Sequence, residues 1–315
     1  MNLAVAELGP SELKRRVLSF AQGMSTEISP HDEALIPALA NKLPAGTTVY
    51  VAHTPKAALE DVVRISIKLE SLGLRASPHI VARRLLSERA LRAALRELKD
   101  GGVEQILLVA GDRDPPIGKF ASTIEVLETG ATVEVGMMAV GVGGHPEGHK
   151  AIGPSTLWNA LRHKQAFAER TGTKMHVVTQ FGFSPDAVCA WDSHLAEHGI
   201  SLPVHVGIAG PTPLPKLIRF AMHCGVGASL GALIKNMSAV SHVARPATSP
   251  DEMLVGVVMG CAGGAPNDTA GRPTHLVKPH VYSFGGAMAT ARWVRAVVDG
   301  SFELHPDSGR FVVTG

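Results

Sequence analysis

Short apolar runs alternate with stretches of helical period along almost the whole chain, and this alternation is what most restricts its fold. Thr47–Ala52, Arg75–Ile80, Val103–Ala110, Val135–Val142, Met175–Phe181 and Pro203–Ile208 are six to eight residues long, rich in Val and Ile, and bounded by Gly or Pro. Runs of this kind read as strands buried on both faces. Between them the period lengthens. Leu59, Val62, Ile65, Leu69 and Leu72 recur at three and four and stop at Gly73. Leu91, Ala94, Leu95 and Leu98 repeat the pattern behind Ser87, an N-cap residue, and stop at Gly101–Gly102. Asp186–Gly199 and Ala287–Val298 are further helices.

Strand, helix, strand at this spacing implies parallel pairing through right-handed crossovers. Adding Met24–Ile28 and His280–Phe284 gives eight strands, so the expectation is an α/β fold: a closed (β/α)8 TIM barrel, residues 1–315 forming a single catalytic domain. An open doubly wound sheet shares the same periodicity. Gly225–Lys278 exceeds one βα unit and carries loop signals at Gly263–Gly264, Pro266 and Asn267–Asp268, so an inserted helical segment is expected before the last strand. Ser301–Gly315 reads as a short tail of two small strands.

With 45% hydrophobic and 18% charged residues the chain builds a core easily and is not disordered. Its net charge of +2 comes without a block of like charges, which argues against nucleic acid or an anionic membrane as partner. Cys189, Cys224 and Cys261 form no CxxC pair, which fits buried thiols in a reducing cytoplasm. Met1–Leu18 is too charged for a signal peptide, and no apolar run is long enough to span a membrane. A cytoplasmic location is the expectation.

In such a barrel the chemistry lies at the C-terminal ends of the strands. Glu27 ends the first strand; there it is either a partly desolvated general acid or a Glu bonded to a loop amide. Asp112 follows the fourth strand in Gly111-Asp112-Arg113-Asp114-Pro115-Pro116, a turn sequence whose spacing alone favours a loop-capping Asp over a functional one. Gln180 closes Val177-Val178-Thr179-Gln180-Phe181; its amide can donate to and accept from a planar heterocycle, or tie down a loop. The Gly-rich Gly141–His149 fits neither GxGxxG nor the P-loop. Pro146 and Gly148 separate His145, Glu147 and His149, so no metal is expected. The stretch reads instead as a passage where a cofactor approaches the backbone.

Several segments, in chain order, resemble those of the methylenetetrahydrofolate reductases, which are FAD-containing (β/α)8 barrels. They are Ser25-Thr-Glu27-Ile-Ser-Pro30, Ser77-Pro78-His79, Gly111-Asp112 with Pro115-Pro116, His145-Pro146-Glu147-Gly148-His149, Thr179-Gln180-Phe181 with Phe183, and His280-Val-Tyr282-Ser283. The resemblance implies Glu27 as general acid, with Asp112 also catalytic near the flavin pyrimidine edge. It implies Gln180, Glu27, Asp112 and Phe181 at the folate. It places His79, Gly111, Asp112, Gly143, Gly144, His145 and Lys164 around FAD, with Lys164 at the diphosphate. NADH or NADPH as electron donor, tetrahydrofolate derivatives as substrates and a place in methionine biosynthesis follow from it; a homo-oligomer is expected from the barrel fold and the Ala- and Gly-rich composition. The sequence has no counterpart of the long regulatory region of larger relatives, so allosteric control by a methyl donor is not expected. Ala110, His145 and Ser283-Phe284-Gly285-Gly286 depart from the family's pattern.

Three readings follow. The first is reduction of methylenetetrahydrofolate to methyltetrahydrofolate, or the reverse oxidation in demethylation metabolism. The second is a barrel that binds folate or flavin beside a methyltransferase without turnover. The third is an unrelated barrel enzyme such as a flavin-free pterin methyltransferase.

Overall fold

The computed structural model describes residues 9–224, 247–248, 250–261, 274–305 and 310–314. Its strands are β1 Ser25–Ile28, β2 Thr48–Val51, β3 Arg75–Val81, β4 Gln105–Val109, β5 Ala139–Gly144, β6 Lys174–Thr179, β7 Val204–Ala209, β8 Thr212–Pro213, β9 Ala247–Thr248, β10 Leu276–Tyr282, β11 Phe302–His305 and β12 Arg310–Val313. The first seven and β10 form a closed barrel of eight parallel strands, because β1 pairs with β2 on one side and β10 on the other. Closure excludes the open sheet. β8 and β9 make a small antiparallel pair beside it, and β11 and β12 another, as expected of the tail.

The helices are α1 Pro10–Ala21, α2 Ile36–Lys42, α3 Leu59–Ser71, α4 Glu88–Asp100, α5 Thr123–Leu127, α6 Ala131–Glu134, α7 Pro154–Thr171, α8 Pro185–Glu197, α9 Leu214–Cys224, α10 Asp251–Gly260 and α11 Ala287–Val298. α4 shows how local sequence sets an element. Ser87 Oγ accepts from the Ala90 amide at 3.2 Å, capping a free donor of the first turn. Leu91, Ala94, Leu95 and Leu98 then bury one face against the barrel. At the far end the chain turns through Gly102 (φ +86°), and Val103 N bonds back to Leu98 O at 2.9 Å.

Three expectations need correction. β5 begins at Ala139, not Val135: residues 131–134 form α6, and Gly136 (φ +74°) turns the chain before the strand starts. β10 begins at Leu276, well before His280, its start disguised by Lys278 and Pro279; it ends at Tyr282, because Phe284 (φ +47°) and Gly285 (φ +73°) leave extended geometry. Finally, Cys189 and Cys261 are not free thiols. They form a disulfide with Cα atoms 5.1 Å apart, joining α8 to the end of α10. A separation of 72 residues hides that pairing in the sequence; the two helices come together where Gly256 of α10 lets Pro185 of α8 approach closely. α10 is the expected inserted helix. Gly263–Gly264, Pro266, Asn267–Asp268 and the side chain of Cys224 lie outside the described residues. Among the described residues no helix is long and apolar enough to cross a membrane.

Most of the core lies between barrel and helices, where Val51, Ile80, Ile106, Leu108, Val142 and Ile208 meet the helical faces. Inside the barrel the packing differs. Branched aliphatics usually fill that space. Here Tyr50, Leu107 and Val178 form a small apolar cluster, and His176, His205 and His280 are buried alongside. Gly141 makes room for one of them: a Cβ there would lie 2.8 Å from His176 Nε2.

Candidate active site

Glu27, Asp112 and Gln180 fall at or just beyond the C-terminal ends of β1, β4 and β6. In a parallel barrel these ends share one rim, so the three residues that the sequence singles out do come to the same mouth. Their environments differ sharply.

Glu27 points into the barrel opposite Tyr50 in register, its side chain 15% exposed. Burial, helped by the nearby Asp32 carboxylate, pushes its pKa up to about 8. At neutral pH it is a carboxylic acid. His79 Nε2 lies 3.7 Å from its Oε2. Burial, reinforced by His53, pushes that imidazole down to about 3, so it is uncharged. The two groups are therefore a neutral acid beside a neutral imidazole, not an ion pair. His79 Nε2 has no hydrogen-bond partner.

Asp112 is exposed on the loop after β4, with Arg84 Nη2 3.9 Å from its Oδ1. Arg84, nearly buried, also donates to Thr54 O at 2.6 Å and so ties the loops after β2 and β4 together. Gly111 is required at the turn between: its φ is +86°, and a Cβ would meet Val81 Cγ1 at 2.4 Å. Gln180 spends its Oε1 on the Phe181 amide at 3.1 Å.

At the end of β5, a Cβ on Gly143 would have only His145 Cε1 near it, at 3.8 Å, so the backbone borders open space. Gly144 is buried against Val177 and Trp191. His145 follows, its pKa pushed down to about 4 by burial, then by His149 and Lys164. Lys164, on α7, is 7% exposed and makes no hydrogen bond or ion pair among the described residues. Burial lowers its pKa to about 8. A buried, unpaired ammonium is costly unless an anion joins it. No group of three or more His, Cys, Asp or Glu side chains among the described residues could hold a metal ion.

Beside Gln180 the rim becomes aromatic. Phe181 is buried, with its ring 4.8 Å from Phe284 and 5.9 Å from Phe183, both T-shaped, and Phe220 of α9 packs on Phe284 at 4.9 Å. Tyr282 completes the wall and donates to Thr179 O at 2.9 Å. Phe181 thus underlies the wall, and the partly buried Phe183 and Phe220 pack against it.

Reading only strand ends missed several of these groups. Tyr50, His176, His205 and His280 sit at inward positions two residues apart from other inward positions, a period-two signal that reading the strands' interior faces would have found. Phe220 and Arg84 carry no such signal, since their places depend on how α9 and the β3 loop pack.

The pattern of the family described as methylenetetrahydrofolate reductase matches residues 39–242, which include His79, Asp112, His145, Lys164 and Gln180; Glu27 precedes the match. Among solved structures, the dihydropteroate synthase of Thermus thermophilus is similar at a TM-score of 0.43 and 15% identity, over 85% of this chain and 90% of that one. The family match spans well over half of the sequence, and the chain belongs to the methylenetetrahydrofolate reductase family of enzymes.

Proposed function

We propose that this chain, working as one catalytic barrel, reduces 5,10-methylenetetrahydrofolate to 5-methyltetrahydrofolate with bound FAD and NADH or NADPH as electron donor. Folate-related reduction comes with the family; the cofactor, the donor and the direction are our reading. The observation that carries it is Glu27, a carboxyl group held protonated near neutral pH at the mouth of the barrel. Opening the five-membered ring of the substrate releases an amine, which must be protonated to leave. Glu27 donates that proton, and the exocyclic methylene carbon is left able to accept hydride.

The residues present fit FAD. The unpaired ammonium of Lys164 suits a diphosphate, and the open space before Gly143 lets a flat ring approach the strand backbone. His79, Gly111, Asp112, Gly144 and His145 would complete its surroundings. Bound FAD supplies the hydride, which no side chain can. The aromatic wall of Phe183 and Phe220 offers the apolar face on which the second flat ring would lie, with Gln180 at its polar edge.

Isolated protein is expected to show the visible absorbance of oxidised flavin, or to gain it on incubation with FAD. After anaerobic reduction, methylenetetrahydrofolate should reoxidise the flavin and yield methyltetrahydrofolate. Ligand-induced spectral change with no redox step would mark a binding protein instead. A protein that takes up no flavin would remove FAD from the proposal. Lys164→Met should weaken FAD binding by roughly 10- to 100-fold, the loss of one charge-assisted hydrogen bond of about 1.5–3 kcal/mol. Flavin fluorescence titration reads this directly, and an unchanged Kd would place the diphosphate elsewhere.

A further inference from the structure

We infer that the ammonium of Lys216 anchors the carboxylate tail of the folate, at the outer end of the aromatic wall. The inference rests on the folate reading proposed above and names the residue that meets the charged end of that substrate. A reduced folate is a flat pterin joined through an aminobenzoyl ring to a glutamate, so its two ends differ in kind. One is a heterocycle, which an amide and aromatic rings suit. The other carries two carboxylates, which a site must either meet with a cation or leave in water.

Lys216 lies in the first turn of α9, which follows β7 and β8 and so starts from the rim that holds Glu27 and Gln180. Residues four apart share a helix face, so Lys216 stands one turn before Phe220 on the side of α9 that meets the loop after β10. There Phe220 packs on Phe284, with ring centroids 4.9 Å apart. The next residue, Gly285, faces the ammonium: a Cβ on it would lie 3.0 Å from Lys216 Nζ. Gly285 has a φ of +73°, so a left-handed turn and a missing side chain together leave the space that the ammonium fills. Lys216 is thus half-buried against backbone at the end of the wall. One helical turn rises about 5.4 Å, so a chain leaving a ring laid on Phe220 reaches Lys216 within a few bonds.

Seated there, the ammonium makes no hydrogen bond or ion pair among the described residues. The elements around it offer no acid. α9, residues 210–213 and residues 283–286 contain neither Asp nor Glu. The first turn of α11 carries neither an acidic residue nor a side-chain cap. The nearest charged residue along α9 is Arg219, a second cation, exposed. The dipole of α11, which starts two residues after Gly285, adds the same sign. What the chain withholds from Lys216, a carboxylate on the ligand supplies.

The test measures binding, so that it does not depend on turnover. FAD-supplemented protein is titrated calorimetrically with 5-methyltetrahydrofolate and with an analogue whose two tail carboxylates are both amides. Wild type should bind the carboxylate form about 5- to 10-fold more tightly, between the effect of an exposed ion pair and that of a desolvated one. Lys216→Met, which keeps the apolar stem, should lose that factor for the carboxylate form and bind the diamide within about twofold of wild type. Lys216→Arg should keep most of the preference. Raising salt from about 0.05 to about 0.5 M should shrink the preference in wild type and leave Lys216→Met unmoved. Equal losses for both compounds in Lys216→Met would make the residue structural and overturn the inference. So would an unchanged preference in that variant, or none in wild type, by placing the tail elsewhere or in water. Wild type that binds the carboxylate form but does not reduce methylenetetrahydrofolate would fail the proposed reaction while the anchor stands; wild type that binds neither compound would fail both.

Discussion

Glu27→Gln is expected to abolish most turnover, lowering kcat and kcat/KM together by about 10²- to 10⁴-fold, the range for losing a general acid. The amide has nearly the shape of the carboxylic acid and can still hydrogen-bond, so KM should move little. What it cannot do is give up a proton to a departing amine. The pH profile sharpens the test. Wild-type Glu27 is protonated, hence active, below its pKa and is lost as an acid as pH rises through about 8. Wild-type kcat should therefore fall on the alkaline side around that pH, and the residual rate of the variant should lack this limb. Flavin reduction by the nicotinamide donor needs no such acid and should survive. A variant with full folate turnover would remove Glu27 from the role, and loss of both half-reactions would mean that the substitution damages the site as a whole.

How much of this was legible in the sequence depended on the range over which each signal acts. α4 was readable almost to the residue because its cap, its apolar face and its stop are all local. The barrel was readable because eight strand runs recur with helices between them. Glu27, Asp112 and Gln180 could be placed on one rim because strand ends in a parallel barrel share a side. Their chemical states could not. The pKa of Glu27 depends on burial and on Asp32, five residues on but brought back by the turn after β1. Asp112 and Gln180 looked alike in the sequence, yet one is exposed beside Arg84 and the other bonds its neighbour's amide. The Cys189–Cys261 link and the approach of Phe220 to Phe284 depend on helix packing across long stretches of chain, for which no short pattern exists.

The same carboxyl group that serves catalysis should cost stability, and the cost should have a definite pH window. In the unfolded chain Glu27 ionises near its ordinary value of 4.5; in the folded protein it does so near 8. Between those values the folded state holds a proton that the unfolded state has released. Stability must then fall as pH rises, by about 1.4 kcal/mol per pH unit. The benefit of the buried acid is complete below 4.5 and gone above about 8. At pH 7 the penalty is roughly 3 kcal/mol relative to acid conditions. Glu27→Gln has no proton to lose, so its stability relative to wild type should rise by about that amount between pH 4.5 and 7 and level off above 8. His79 and the other buried histidines titrate in both proteins, and their contribution cancels in the difference. Urea unfolding of the two proteins at a series of pH values measures it. A stability difference that stays flat from pH 4 to 9 would mean that Glu27 titrates alike in the folded and unfolded chain, and the raised pKa on which the proposed proton donation depends would go with it.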